Sequence, residues 1–200
     1  MIQSKPNPIK SNRISTTKAI KLISNPDTVD CSNPPIFYIQ ASNIALRYNN
    51  NRNQQDANLY ASNGQFAHMV EYNDGYNDKL ITFNAPDATT ASPFYLDGLG
   101  RLISNATSYV TLVETSYRAS KVYVSDPTQD FDGFSSPPCT ISSSNVLTCK
   151  AGTMSGFSVC FGGNNGDIGS AGANGVLYLT TLPSTQGKDC RTLTATIVYA

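Results

Sequence analysis

The 200-residue chain has no tryptophan, a single histidine and little charge: Asp, Glu, Lys and Arg make up only 14% of it. A soluble protein ordinarily carries about 25% charged residues, and here Ser, Thr, Asn and Gly take their place. The 14 basic and 14 acidic residues cancel, so the chain has no net field with which to grip a phosphate backbone or an anionic bilayer. Nucleic acid and membrane are poor partners for such a surface. Apolar runs are also missing: none approaches the roughly 20 residues of a spanning helix, and Met1–Asn12 is polar, without the apolar stretch of a signal peptide. The expectation is a mature or trimmed secreted chain, with Met1 an added start.

Cysteine is present but not in metal or redox spacing. Cys31, Cys139, Cys149, Cys160 and Cys190 form no CxxC pair, so neither a zinc site nor a thioredoxin-like motif is expected, and disulfides are. Asn105-Ala106-Thr107 has the form of an N-glycosylation acceptor. With the low lysine content, these features point to a secreted protein, glycosylated at Asn105 if its host is eukaryotic.

Strand signals dominate what remains. Short runs rich in Val, Ile, Thr, Tyr, Phe and Leu are separated by Gly, Pro, Asn and Asp. The clearest is Thr192–Tyr199, with Leu193, Ala195, Ile197 and Tyr199 on one face and threonines on the other. Comparable runs are Phe37–Gln40, Asn43–Tyr48, Gln65–Tyr72, Lys79–Asn84, Phe94–Asp97, Arg101–Ser104, Tyr109–Glu114, Lys121–Ser125, Val146–Cys149, Gly156–Phe161 and Val176–Thr181. The class is all-β.

Between Pro34 and Pro183 the chain passes three times through one plan. Proline-led openings stand at Pro35-Ile36-Phe37, Pro93-Phe94-Tyr95 and Pro138-Cys139-Thr140. Second strands follow at Asn43–Leu46, Gly100–Ile103 and Asn145–Thr148. Three four-strand modules, about 34–90, 91–135 and 136–200, are what a β-trefoil-like barrel requires, since closure removes free edges. A two-sheet β-sandwich or jelly roll satisfies the same strand count. Residues 1–30 read as an extended lead-in to a single domain over 31–200. Asn49–Ser62 and Gly162–Gly175 are polar insertions at the surface.

Cys139 and Cys149 flank a strand-turn-strand, and Cys160 precedes the glycine-rich insertion whose far side returns through Cys190. Proximity pairs 139 with 149 and 160 with 190, one of three possible connectivities for four cysteines. Cys31 is left unpaired.

Catalytic constellations are sparse. His68 has no identifiable nucleophile or orienting partner and reads as a half-exposed strand histidine; one histidine without a Cys/His cluster builds no usual zinc centre. No metal and no cofactor is expected. Asp74-Gly75, Asp97-Gly98 and Asp132-Gly133 read as tight turns whose glycine supplies the positive φ. A glycosidase needs two facing carboxylates, and nothing selects a pair among Asp97, Glu114, Asp130 and Asp132. Gly162–Asp167 lacks the ligands of an EF-hand and the Gly-Lys-Ser/Thr of a P-loop. Tyrosine beside amides and carboxylates is the remaining signal, because aromatic faces stack on sugar rings while amides bond hydroxyls. The candidate ligand-binding residues are Tyr72, Asn73, Asp74, Tyr76, Asn164, Asn165 and Asp167.

The run Pro93–Leu102, Cys139 to Cys149, Phe157-Ser158-Val159-Cys160 and Asp189-Cys190-Arg191-Thr192-Leu193 resemble secreted and cell-wall-associated cysteine-bridged β-domain proteins of filamentous fungi. The resemblance covers roughly residues 90–200. It implies an extracellular or wall location and carries over no catalytic residue; Cys31 and the Asn49–Ser62 insertion depart from it. The expectation is a secreted, non-catalytic domain that contacts a glycan or another extracellular polymer through Tyr/Asn/Gly loops. A self-associating structural subunit and a trefoil protease inhibitor are the alternatives.

Overall fold

The computed structural model describes residues 33–44, 62–72, 77–129, 132–160, 175–181 and 190–200. Cys31, the 1–30 lead-in and nearly all of both insertions lie outside the described residues. In chain order the strands are β1 (Phe37–Ser42), β2 (Phe66–Glu71), β3 (Lys79–Ala85), β4 (Phe94–Leu96), β5 (Leu102–Ser104), β6 (Val110–Glu114), β7 (Ala119–Lys121) and β8 (Tyr123–Ser125). They continue with β9 (Phe134–Ser135), β10 (Cys139–Ile141), β11 (Val146–Cys149), β12 (Gly156–Cys160), β13 (Val176–Thr180), β14 (Cys190–Thr192) and β15 (Thr194–Tyr199). The all-β class expected from alternation is what the described residues adopt.

Seven of these strands close on themselves. β1 pairs with β4, then β5, β6, β8, β3 and β2 follow in turn, and β2 returns to β1, every pairing antiparallel. Closure of this kind leaves the ring without an unpaired edge. Two ring strands also branch outward. Phe37 faces Tyr199 and Phe94, and Gln40 faces Thr196 and Phe66, so β2 and β4 share one edge of β1 and β15 holds the other. In β3, Leu80 faces Val70 and Tyr123 while Thr82 faces His68 and Val176, so β8 and β13 share an edge there. From β1 the sheet runs through β15 and β11 to β10, and from β3 through β13 and β12 to β14.

Both expected disulfides form, and each fastens one of these outer strands. Cys139 lies opposite Cys149 in the β10–β11 pair, and Cys160 opposite Cys190 in the β12–β14 pair, with 4.0 Å between Cα atoms in each case. Directly opposed residues in a non-hydrogen-bonded antiparallel position come about this close, which is why strand register alone brings the sulfurs together.

One main core fills the ring and runs on under the flanking strands, joining Ile39, Phe83, Phe94 and Val124 to Leu147, Val159, Leu177 and Ile197. A second cluster occupies the opposite face of β3 and β13: Leu80, Cys160, Val176, Tyr178 and Cys190, with Tyr72 and Tyr123 packed against it. β12 and β13 are therefore buried on both faces along their whole length. That explains why Val176-Leu177-Tyr178-Leu179 reads as a continuous apolar run and not as an alternation.

Two expected strands are each divided. Lys121–Ser125 breaks at Val122, where the chain leaves β13 for β6 and β3, and the segment around Thr192 breaks at Leu193, where it leaves β12 for β1 and β11. Both residues are buried in the main core, and their N–H groups still bond to Leu177 C=O and Phe157 C=O, at 3.0 and 3.1 Å. The side-chain alternation continues across each corner, so it does not reveal the change of partner.

Candidate binding groove

The pairing of β1 with β4 ends as soon as it starts, at Phe37 and Phe94. Continuing that register would lay Ile36 beside Tyr95 and Pro34 beside Asp97, but Pro34 and Pro35 have no N–H to give to a ladder. The two segments part there. A groove of about 390 Å³ results, lined by Asn33, Pro34, Ile36, Tyr95, Leu96, Asp97, Gly98, Asn105 and Ser108. Phe94 points into the core and is fully buried, whereas Tyr95 next to it is half-exposed, as strand alternation requires.

The far wall is the turn joining β4 to β5, and Asp97 builds it. Its Oδ1 accepts the N–H groups of Leu99 and Arg101 at 3.0 and 2.8 Å, and its Oδ2 accepts Arg101 Nε at 2.7 Å. Partial burial works against ionisation of this carboxyl, but the hydrogen bonds from Arg101 and Leu99, together with the guanidinium charge, outweigh it and hold the pKa below its ordinary value. A carboxylate has about four acceptor positions; three are filled, leaving one at Oδ2.

Gly100 completes the turn. The sequence places the turn glycine at Gly98, after the acid; the positive φ, 73°, belongs to Gly100 instead. A Cβ there would stand 3.0 Å from Cys139 O, and Cys139 N–H donates to Gly100 C=O at 2.7 Å. The groove wall is thus tied by backbone to the strand that carries the Cys139–Cys149 bridge. At Asp132-Gly133 the positive φ, 82°, does fall on the glycine that follows the acid.

The other end of the groove is the turn after β5. Asn105 N–H donates to Pro93 C=O at 2.9 Å, Ser108 N–H to Ser104 C=O at 2.8 Å, and Tyr109 N–H to Thr107 Oγ1 at 3.2 Å. The backbone is therefore held while Asn105 and Ser108 stay exposed. None of Asn33, Tyr95, Asn105 or Ser108 uses its side-chain polar group on another described residue.

Of the residues that sequence reasoning put forward for ligand binding, Tyr72 alone is described; Asn73, Asp74, Tyr76, Asn164, Asn165 and Asp167 lie outside the described residues. Tyr72 sits in an aromatic patch. Lys121 Nζ lies 4.6 Å from its ring centroid and donates to its hydroxyl at 3.2 Å, and Tyr123 stands 5.9 Å away, itself edge-on to Phe134 at 5.5 Å. Beneath them Tyr178 is wholly buried; burial pushes its phenol pKa up, against the pull of the Lys121 ammonium. These rings are occupied by one another and by a cation.

His68 Nδ1–H donates to Thr90 C=O at 3.1 Å, an ordinary strand contact. Glu114 accepts the Ser116 hydroxyl at 3.1 Å and does not line the groove. Asp132 lies outside it too, and Asp130 is not among the described residues. Among the described residues no three His, Cys, Asp or Glu side chains gather as a metal-binding group, and no helix is long and apolar enough to cross a membrane. Tyr95, Asn33 and Ser108 carried no signal in the sequence, because the groove arises from where pairing stops.

Fold and groove together define a disulfide-bridged antiparallel β-barrel domain with an open cleft of mixed aromatic and amide lining. Compared with protein-family models, curated proteins and solved structures, the chain matches none. Its two disulfides are compatible with an extracellular setting.

Proposed function

We propose that the protein is a secreted, non-catalytic binding domain whose groove along β4 receives a saccharide of an extracellular glycan or wall polymer. The observation that carries this reading is the lining itself. Tyr95 offers an aromatic ring, Pro34, Ile36 and Leu96 give apolar walls, and Asn33, Asn105 and Ser108 present polar groups not committed elsewhere. Sugars have one apolar ring face and a rim of hydroxyls, and a cleft of this size and composition suits them. The free acceptor position on Asp97 Oδ2 suits a sugar hydroxyl.

The same geometry favours binding over hydrolysis. Asp97 is the one carboxylate of the lining, and it is ionised and fixed in a turn. Glycoside cleavage needs a second carboxyl, one of the two holding a proton. A fungal wall setting is part of the proposal and rests on the resemblance of residues 90–200. So is a trefoil-like organisation, which rests on the recurrence in sequence of a proline-led strand-turn-strand after Pro93 (β4–β5) and Pro138 (β10–β11). The test is a non-glycosylated, oxidised sample on a glycan array and in wall-polysaccharide pulldown, beside Tyr95→Ala. Binding by the parent that the variant loses is expected; a blank parent on both removes the reading.

A further inference from the structure

Asn105 is both the asparagine of an Asn-Ala-Thr acceptor and a wall of the groove. Its side chain is exposed, its amide bonds to no other described residue, and its backbone is fixed by Pro93 on one side and by the Thr107–Tyr109 turn on the other. An acceptor held on an exposed turn keeps its modification outside the core, so an attached sugar chain costs no packing. What sets this turn apart is its neighbour: the attached chain would begin inside an open cleft with a half-exposed tyrosine, and not on a convex surface.

We infer that Asn105 carries an N-linked glycan whose first sugars lie in the groove over Tyr95, so that the glycosylated protein holds its own saccharide where an external one would bind. The attachment joins Asn105 Nδ2 to the anomeric carbon of a lipid-pyrophosphate-linked oligosaccharide. The carbon–oxygen bond to pyrophosphate breaks, the lipid pyrophosphate leaves with that electron pair, and the amide gives up one proton. Seating the sugar then needs nothing new: its apolar face covers the Tyr95 ring, and its hydroxyls reach Ser108 and Asn33. The inference rests on the reading that this groove accepts a sugar ring, and it makes glycosylation the control on access.

Wild-type protein from a glycosylating eukaryotic host and from a non-glycosylating bacterial host should be compared by intact mass and by tetranitromethane nitration with peptide mapping. Asn105→Gln from the eukaryotic host serves as the second comparator. One glycan mass on the eukaryotic wild type, absent from N105Q, is expected. Nitration of Tyr95 should be several-fold slower in the glycosylated form than in either comparator, while Tyr117, 60% exposed, reacts alike in all three. An unmodified Asn105, or Tyr95 equally reactive with and without the glycan, overturns the inference. External binding is read separately: a bacterial sample blank on the array, alongside a shielded Tyr95 in the glycosylated form, removes the reading of an external ligand and leaves the self-seated glycan standing.

Discussion

Two regions of this barrel that present tyrosine have opposite character. Around Tyr178, the rings of Tyr72, Tyr123 and Phe134 and the Lys121 ammonium satisfy one another over a fully buried phenol. Along β4, Tyr95 stands beside amides and a hydroxyl that bond to no described residue. The contrast shows that a tyrosine on a strand is not in itself a recognition surface. What decides is whether strand pairing continues, so that rings pack on each other, or stops, as it does at Pro34 and Pro35, and leaves a ring facing solvent.

Removing buried mass from the first region should affect stability and spare binding. Tyr178→Ala is expected to cost about 3–5 kcal/mol in denaturant unfolding, the range for large aromatic deletions, with saccharide affinity unchanged in the folded fraction. A matching loss of affinity would erase the distinction between the regions. The bridges come next. Replacing Cys160 and Cys190 by Ala, a separation of 30 residues, should cost about 3.6 kcal/mol, and replacing Cys139 and Cys149, a separation of 10, about 2.7 kcal/mol. Despite its smaller cost, the second change should weaken saccharide binding more, because Cys139 N–H holds Gly100; equal binding by both variants would break that link.

Gly100→Ala should destabilise by about 2 kcal/mol through its positive φ and its crowding against Cys139, and should reduce binding as the turn shifts. Gly98→Ala, whose Cβ meets open space, is the matched control for stability and should leave unfolding unchanged. Tyr95→Ala, at a half-exposed position, should cost about 1 kcal/mol in unfolding, yet lose binding about tenfold, or 1.4 kcal/mol.

The smallest effect is that of pH. Asp97 has its pKa lowered from 3.8, so in the folded chain it binds protons less readily than in the unfolded one. Its contribution is complete above the unfolded value and is lost as pH falls through the lower folded value. Binding should hold level between about pH 5 and 8 and weaken only as pH falls below Asp97's ordinary 3.8 toward its lower folded value; weakening already at neutral pH would assign the control to another group.

The sequence was informative where burial and alternation coincide. The face of Ala195 and Ile197 and the opposition of Cys139 to Cys149 follow from a period of two residues and from hairpin spacing, whereas Cys160 meets Cys190 through β14, which pairs the edge of β12 opposite to β13. It was silent where a strand changes partners. Val122 and Leu193 continue the apolar pattern through their corners, so they read as strand interior, although there the chain crosses between the ring and the flanking sheet. The positive φ falls at Gly100, two residues beyond Gly98, because an acid before glycine marks that a turn exists but not which residue takes the left-handed conformation. The groove was hidden for a similar reason: Pro34-Pro35 signals a break, but only the register of Phe37 with Phe94 tells which neighbour is lost.

The most direct measurement is an NMR titration of isotopically labelled, non-glycosylated, oxidised protein with oligosaccharides released from wall polysaccharide. Shift changes confined to Asn33, Tyr95–Leu99 and Asn105–Ser108, with Tyr72, Lys121 and Tyr123 still, are the predicted result. Changes centred on Tyr72 and Tyr123, or none at saturating sugar, would contradict it.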